Sequence, residues 1–225
     1  MSQESILVTG ATGNLGGAVV KKLQQEGFHI YAVARNAAGL EGATVTSVDL
    51  MSETAVNEYI TNIVSHNVNL KTVVLLVGGF AAGNLQTTDA VALQKMYQLN
   101  FATAYFVVRA LWPYFEVNGG GHFILIGARS AFNPQEAQDT LAYSLAKSMV
   151  VQLSEIINAQ GKAQNIRASV IVPGTIDTAQ NRQAMPNADF SKWTTAQAIA
   201  DAIGFLLTDS GQHLRAPVLK MYNES

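Results

Sequence analysis

The sequence predicts a single-domain α/β fold, in which a doubly wound parallel sheet of about seven strands carries helices on both faces. Short apolar runs alternate with segments of helical periodicity along the whole chain, as is typical of this class. Most runs are apolar on both faces, which suits strands buried between two helical layers. With 225 residues, 48% of them hydrophobic and 13% charged, the chain can bury one substantial core. We expect one domain over residues 1–225.

The first half of the chain begins with an apolar run, a glycine-rich turn and a helix in which apolar residues recur at helical spacing. Gly27 ends this first helix, and Ser52 is the expected N-cap of the second. Strands are predicted at 6–9, 28–34, 45–48 and 72–77, and helices at 13–26 and 52–66.

The second half repeats the alternation of strands and helices. The predicted helix at 89–115 is apolar over much of its circumference, so we expect the sheet and another subunit to bury it. We also expect a loop inserted at about 175–194 to contribute to substrate binding. The remaining strands are predicted at 122–126, 167–172 and 217–222, and the remaining helices at 140–157 and 195–207.

Tyr143 and Lys147 are the first candidates for chemistry. They are four residues apart in a predicted helix, so their side chains project from one helix face. An ammonium held beside a phenol is expected to lower its pKa, which would let the tyrosine act as a general acid or base. Ser130 follows the apolar run 122–127, where a strand would deliver it to a site. Taken alone, the Tyr143–Lys147 spacing also fits an ordinary surface pair.

Glycines at positions 10, 13 and 16 lie between the first strand and the first helix. This is the context in which a glycine-rich turn and the amides of a helix N-terminus bind a pyrophosphate. The turn therefore predicts a dinucleotide cofactor, with a simple turn and helix cap as the alternative.

The end of the second strand bears on the choice of cofactor. An NAD site usually places an acidic residue there, whereas this chain has Arg35, which can pair with a 2′-phosphate. NADP(H) is therefore favoured, and NAD(H) is possible because Arg35 can equally face solvent. Asp49 could accept a hydrogen bond from the adenine amino group or cap a turn.

Composition excludes several other functions. With 14 basic and 16 acidic residues, we expect no nucleic-acid partner. The chain has no cysteine, and its four histidines are scattered, so we expect no metal site. The longest apolar stretches are strand-sized, and residues 1–5 lack the features of a signal peptide. We therefore expect no membrane segment and a cytoplasmic protein with a small-molecule substrate.

These motifs together resemble the short-chain dehydrogenase/reductase family over essentially the whole chain. The resemblance implies a Rossmann fold and a catalytic tetrad of Asn100, Ser130, Tyr143 and Lys147. In that family the tyrosine exchanges the proton, the serine orients the substrate oxygen, the lysine binds the nicotinamide ribose and lowers the tyrosine pKa, and the asparagine supports a proton relay. The residues expected to bind the cofactor are Thr9, Gly10, Thr12, Gly13, Asn14, Leu15, Gly16, Arg35, Asp49, Leu50, Gly78, Gly79, Lys147, Pro173, Gly174, Thr175, Ile176 and Thr178.

Two departures from the common family pattern bear on the substrate. Asn14 replaces a glycine of the commonest members, and Val-Gly-Gly-Phe-Ala-Ala-Gly-Asn at 77–84 replaces the usual Asn-Asn-Ala-Gly segment. The latter segment and residues 181–193 resemble the dihydropteridine reductase branch. That branch generally lacks the serine and the asparagine and prefers NADH, so a carbonyl or alcohol substrate is favoured here.

The expected substrate pocket is apolar. In the loop 179–193, Met185 and Trp193 could cover the substrate as a mobile lid, or could pin the loop to the domain. Phe80 and Phe132 could line the same pocket or belong to the core. We therefore predict an NADP(H)-dependent oxidoreductase, with a dihydropteridine reductase-like enzyme and a non-catalytic NADP-binding regulatory protein as alternatives. Because the family commonly pairs subunits through its long helices, we expect a homodimer or homotetramer.

Overall fold

The computed structural model describes residues 3–34, 36, 39–66 and 68–224. Arg35 lies outside the described residues. The fold is the predicted single α/β domain, with a seven-stranded parallel sheet between two layers of helices. No helix in the described ranges combines the length and apolarity needed to cross a bilayer.

The main sheet has the strand order β3-β2-β1-β4-β5-β6-β9. The order reverses between β1 and β4, so a crevice opens at the carboxyl ends of these two strands, where ligands bind in sheets of this type. Two further strands, β7 and β8, pair with each other outside the sheet. The strands are β1 Ser5–Thr9, β2 His29–Val33, β3 Thr44–Thr46, β4 Leu70–Leu75, β5 Gly121–Ile126, β6 Ile166–Pro173, β7 Ile176–Asp177, β8 Thr194–Thr195 and β9 Val218–Met221.

The helices cover both faces of the sheet. Ser52 caps its helix as predicted, because its Oγ accepts a hydrogen bond from Ala55 N at 3.3 Å. Gly27 follows the first helix with a φ of +90°, a conformation that favours glycine. The α-helices are α1 Gly16–Gln25, α2 Glu53–Ser65, α3 Ala90–Tyr97, α4 Thr103–Val117, α5 Pro134–Ala137, α6 Leu141–Gln160, α7 Ala179–Ala184, α8 Ala196–Leu207 and α9 Asp209–Gln212.

Each buried strand contributes to two cores, because successive side chains of a strand point to opposite faces. In β5, Phe123 and Leu125 pack on the side of α2, α4 and α6, whereas Ile124 packs on the side of α1 and α8. The residues of β1 are all buried. The continuous apolar runs in the sequence therefore correspond to strands covered on both faces, as predicted.

The predicted helix at 89–115 is the main difference between expectation and structure. It is divided into α3, a π-helical turn at Gln98–Ala102 and α4. The wider turn contains Asn100, whose side chain bonds to the loop after β4. Such π-helical turns often occur at functional sites.

The loop predicted at about 175–194 also has more structure than expected. It contains β7, α7 and a 3₁₀ turn at Phe190–Lys192, and β8 closes it against β7. The short third strand covers Thr44–Thr46, one residue earlier than predicted at its start and two residues earlier at its end.

Part of the helical surface stays apolar and exposed. The long helical segment is buried by the sheet along α4, as expected, but α3 leaves Val91 74% exposed. Between α3 and α6 lies a groove of about 700 Å³. Its lining is mostly apolar and includes Leu93, Tyr97, Leu145 and Met149.

Candidate active site

The glycine turn after β1 is shaped to let a ligand approach the backbone closely. Gly10 has a φ of +68°, and a Cβ on it would lie 3.2 Å from Val77. A Cβ on Gly16 would overlap the carbonyl oxygen of Gly10, so neither position tolerates a side chain without a shift. Helix α1 begins after Leu15, whose side chain provides no cap. The start of α1 thus lies directly after the turn at the carboxyl end of β1 and has no side-chain cap, an arrangement that fits a pyrophosphate.

The segment after β4 brings Asn100 and Lys147 together. Asn100 is buried, and its Oδ1 accepts a hydrogen bond from Gly79 N at 3.1 Å while its Nδ2 donates to Met96 O at 3.2 Å. A Cβ on Gly78 would lie 2.8 Å from Asn100 Oδ1 and 3.4 Å from Lys147 Nζ. Glycine at position 78 therefore allows the loop to pass beside both side chains, and a Cβ on Gly79 would instead meet Leu99 Cδ2 at 2.5 Å.

Tyr143 and Lys147 lie on one face of α6, as predicted. The Nζ of Lys147 lies 5.9 Å from the centroid of the Tyr143 ring and donates to Ile126 O at 2.8 Å. Burial lowers the pKa of Lys147 to about 8 and raises the pKa of Tyr143 to about 12.

The expected lowering of the phenol's pKa by Lys147 is therefore wrong for this arrangement of side chains. The cost of exposing a phenolate to an apolar environment outweighs any attraction from an ammonium that bonds a backbone carbonyl. The raised pKa disfavours the phenolate form of Tyr143 and leaves the phenol, the form that can donate a proton.

Ser130 lies in a 3₁₀ turn at Arg129–Ala131, directly after β5. Its Oγ is buried and has no hydrogen-bond partner among the described residues. A buried hydroxyl without a partner is costly, and a catalytic role, a bound water or a ligand can account for it. The turn packs on α6 through Ser148, whose Oγ donates to Ala131 O at 3.4 Å.

The aromatic residues predicted to line a substrate pocket have different surroundings. Phe80 is 67% exposed, and its ring meets that of Tyr143 edge to face at a centroid distance of 5.3 Å. Phe132 is 41% exposed and lies under Lys220, whose Nζ is 5.1 Å from the ring centroid. The alternative that these two phenylalanines belong to the core is therefore wrong.

The loop between β7 and β8 is anchored at one end. Trp193 is only 6% exposed and packs on Phe190 at a centroid distance of 4.8 Å. Met185 is exposed. Arg182 pairs with Asp177 through two hydrogen bonds of 2.6 and 2.7 Å. The pinning interpretation thus describes the Trp193 end of the loop, while Met185 remains available to a ligand.

Several other candidate cofactor residues already have structural partners. Asp49 caps a turn by accepting a hydrogen bond from Met51 N at 3.0 Å, and Leu50 is buried in the core. Thr178 caps α7 by accepting from Asn181 N at 3.1 Å. Gly174 N donates to Met221 O at 2.9 Å. These contacts fix the backbone around the crevice, and cofactor binding by these residues stays a prediction.

The family to which this architecture belongs is shown by sequence comparison. The model of the short chain dehydrogenase family matches residues 4–189, which include the glycine turn and all four tetrad positions. The chain belongs to this family. It is an oxidoreductase of the short-chain dehydrogenase/reductase type.

Individual relatives of this short-chain dehydrogenase/reductase are distant. An uncharacterized oxidoreductase of Staphylococcus epidermidis is 25% identical over 218 residues, covering 92% of each chain. A dihydropteridine reductase of Dictyostelium discoideum is 26% identical over 207 residues, covering 89% of this chain and 86% of that protein. The structure of ElxO with NADP bound superposes on this chain with a TM-score of 0.89 at 19% identity, and the match covers 99% of this chain and 98% of that chain. This similarity is one of fold.

Proposed function

We propose that this short-chain dehydrogenase/reductase is an NADP(H)-dependent enzyme that transfers a hydride between the nicotinamide and a carbonyl or alcohol carbon. The observation that carries the proposal is the buried Ser130 Oγ, which lacks a protein partner in the described structure and lies on a turn packed against the Tyr143 helix. A hydroxyl left free in this position suits a substrate oxygen that needs orientation and polarisation.

The crevice residues fit a nicotinamide dinucleotide. The glycine turn and the uncapped start of α1 would hold the pyrophosphate, and Lys147 would bind the nicotinamide ribose. The cofactor, when bound, supplies or accepts the hydride. The choice of NADP over NAD rests on Arg35 at the end of β2 in the sequence, because its guanidinium can pair with a 2′-phosphate.

Each tetrad residue receives a distinct role in the proposed mechanism. Ser130 Oγ donates a hydrogen bond to the substrate oxygen, and Tyr143 donates its phenolic proton to the same oxygen during reduction. Burial of Tyr143 raises its pKa to about 12, which disfavours the phenolate form. Lys147 is held by Ile126 O, and Asn100 holds the Gly78–Gly79 segment beside it.

A dihydropteridine reductase-like activity is the second candidate. It is favoured by the similarity to the Dictyostelium discoideum enzyme and by the exposed Phe80 ring beside Tyr143, a surface suited to a flat ring. Ser130 argues for the carbonyl reaction, because reduction of a quinonoid pterin needs no serine to polarise a carbonyl. The full set of Ser130, Tyr143 and Lys147 argues against the third alternative, a binding protein without turnover.

Oxidation of NADPH measured at 340 nm separates these candidates. The test panel contains benzaldehyde, acetophenone, cyclohexanone and a quinonoid dihydropterin, each compared with NADH as the alternative cofactor. We expect turnover of a carbonyl compound with NADPH. Turnover of the dihydropterin alone would favour the second candidate, and NADPH binding without any turnover would favour the regulatory protein.

We further propose that the chain forms a homodimer through the apolar surface of α3 and α6, with a homotetramer as the alternative. The proposal is supported by the groove of about 700 Å³ between these helices and its apolar lining. Exposed apolar side chains clustered in a groove are a common feature of interaction sites.

A further inference from the structure

The residue directly before Ser130 is held from two sides. Arg129 Nε donates a hydrogen bond to Glu136 Oε2 at 2.9 Å. In the same ion pair, Arg129 Nε lies 2.8 Å from Glu136 Oε1. Its guanidinium also lies over the ring of Tyr222, with Cζ 5.6 Å from the ring centroid. The proposed chemistry uses none of these side chains, so their common effect is on the turn between them.

Glu136 connects this turn to the helix that carries Tyr143. Its carboxylate also accepts a hydrogen bond from Asn133 Nδ2 at 2.9 Å. Its backbone carbonyl accepts from Thr140 Oγ1 at 3.0 Å, and that hydroxyl lies 2.8 Å from Ser144 Oγ in the first turn of α6. One residue thus bonds to the Ser130 turn with its side chain and to the start of α6 with its backbone.

The other side of the turn is supported by β9 and α6. Lys220 lies over Phe132, and Ser148 bonds Ala131 O. Lys220 and Tyr222 are two residues apart, the spacing at which side chains of an extended chain share one face. The chain at and just after β9 therefore braces both flanks of Ser130.

We infer that Glu136 is a positioning residue for Ser130, acting through Arg129. The Ser130 hydroxyl has no bond of its own to a described residue, so its location is set by the turn alone. Glu136 ties that turn to α6 and so sets the position of the Ser130 oxygen relative to Tyr143. This inference rests on the proposed function, because it concerns the serine that would orient the substrate oxygen.

A double-mutant cycle tests the inference. Glu136→Gln, Ser130→Ala and the double variant are compared by kcat and KM, using NADPH and the carbonyl compound of the panel that turns over fastest. We expect Glu136→Gln to lower kcat roughly 10-fold or more, since small misplacements of a reacting group are costly. We expect the KM for NADPH to stay unchanged. In the Ser130→Ala background, Glu136→Gln should cause no further loss.

A matched control removes a carboxylate from an ion pair elsewhere. Asp201 pairs with Lys22 between α8 and α1 at 3.2 Å, and we expect Asp201→Asn to keep the wild-type kcat. Arg129→Lys keeps the positive charge but loses the planar guanidinium, and we expect it to lower kcat as Glu136→Gln does.

Hydrogen exchange supplies a readout independent of turnover. The amides of Ala131 and Phe132 are both bonded within the turn at 3.0 Å, and we expect them to exchange faster in Glu136→Gln but not in Asp201→Asn. Three results would each overturn the positioning role. The first is unchanged amide exchange in Glu136→Gln, and the second is a wild-type kcat in Glu136→Gln when Ser130→Ala is inactive. The third is a double variant whose loss in kcat equals the combined losses of the two single variants. Wild-type turnover by Ser130→Ala would instead overturn the role of the serine in the proposed function.

Discussion

The side-chain oxygen of Asn100 lies only 2.8 Å from the place that a Cβ atom on Gly78 would occupy. The same Cβ would lie 3.4 Å from Lys147 Nζ. Glycine at position 78 is therefore favoured by packing against Asn100, since a contact under 3 Å cannot form without a shift, whereas 3.4 Å to Lys147 is an ordinary contact.

Gly78→Ala is the variant that tests this packing. The added methyl group must displace Asn100 or the loop after β4, so we expect a loss of about 1–3 kcal/mol in the free energy of unfolding. We also expect at least a roughly 10-fold weaker affinity for NADPH, because Lys147 borders the same methyl group. Urea denaturation and titration of NADPH fluorescence measure the two effects.

Gly17→Ala serves as the control for stability. A Cβ on Gly17 would meet nothing within 4 Å, and glycine in a helix costs about 0.5–1 kcal/mol relative to alanine. We expect Gly17→Ala to be at least as stable as the wild type. Equal losses in both variants would contradict the packing explanation for Gly78.

Tyr143→Phe removes the proposed proton donor and leaves the ring in place. We expect kcat to fall by about 100-fold or more, while the dissociation constant for NADPH stays close to that of the wild type. Tyr105→Phe, at an exposed position on α4, is the matched control and should remain fully active. Substantial turnover by Tyr143→Phe would rule out the proposed mechanism.

The buried Lys147 predicts a specific pH dependence of stability. Its pKa is lowered from 10.5 to about 8, so between these two values the unfolded chain binds a proton that the folded protein releases. The contribution of Lys147 therefore raises stability as pH increases through this window, by roughly 1 kcal/mol per pH unit. Below pH 8, the burial of its ammonium destabilises the fold by a constant amount.

Lys147→Met isolates this contribution. We expect the wild type to gain stability relative to Lys147→Met as the pH is raised from 8 to 9.5. Urea denaturation at four pH values over this interval measures the shift. A difference in unfolding free energy that does not change with pH would mean that the Lys147 ammonium is not destabilised by burial. Separately, we expect Lys147→Met to lack turnover at every pH.

Arg35 is expected to select NADP. Arg35→Asp replaces a partner of the 2′-phosphate by a repelling charge, so the ratio of kcat/KM for NADPH to that for NADH should fall at least roughly 10-fold. Arg35→Lys keeps the charge and should retain most of the preference. An unchanged ratio in Arg35→Asp would show that Arg35 does not contact the cofactor.

The proposed dimer depends on the apolar groove between α3 and α6. Leu145→Glu places a charge in this lining, and we expect it to yield a monomer in light scattering after size-exclusion chromatography. Val117→Glu is the control, because Val117 is 82% exposed at the end of α4 and is not among the groove residues. The same mass for both variants would contradict an interface at this groove.

The sequence alone determined the architecture and the place of the site along the chain. Apolar runs without alternation marked the strands of a sheet covered on both sides, and their predicted positions overlap all seven main strands. The position of the glycine turn was predictable because it depends only on adjacent sequence, with a strand before the turn and a helix after it. The spacing of Tyr143 and Lys147 placed them on one helix face for the same local reason.

Only the tertiary structure decided the environment of each site residue. In the π-helical turn at Gln98–Ala102, Asn100 Oδ1 accepts a hydrogen bond from Gly79 N, 21 residues earlier, a contact that local periodicity cannot predict. The raised pKa of Tyr143 is caused by burial, whereas the sequence suggested the opposite shift from its neighbour Lys147. The contact of Phe80 with Tyr143 likewise joins segments that lie far apart in the sequence. Local sequence specifies elements and spacing, but burial and partners arise only when distant segments pack together.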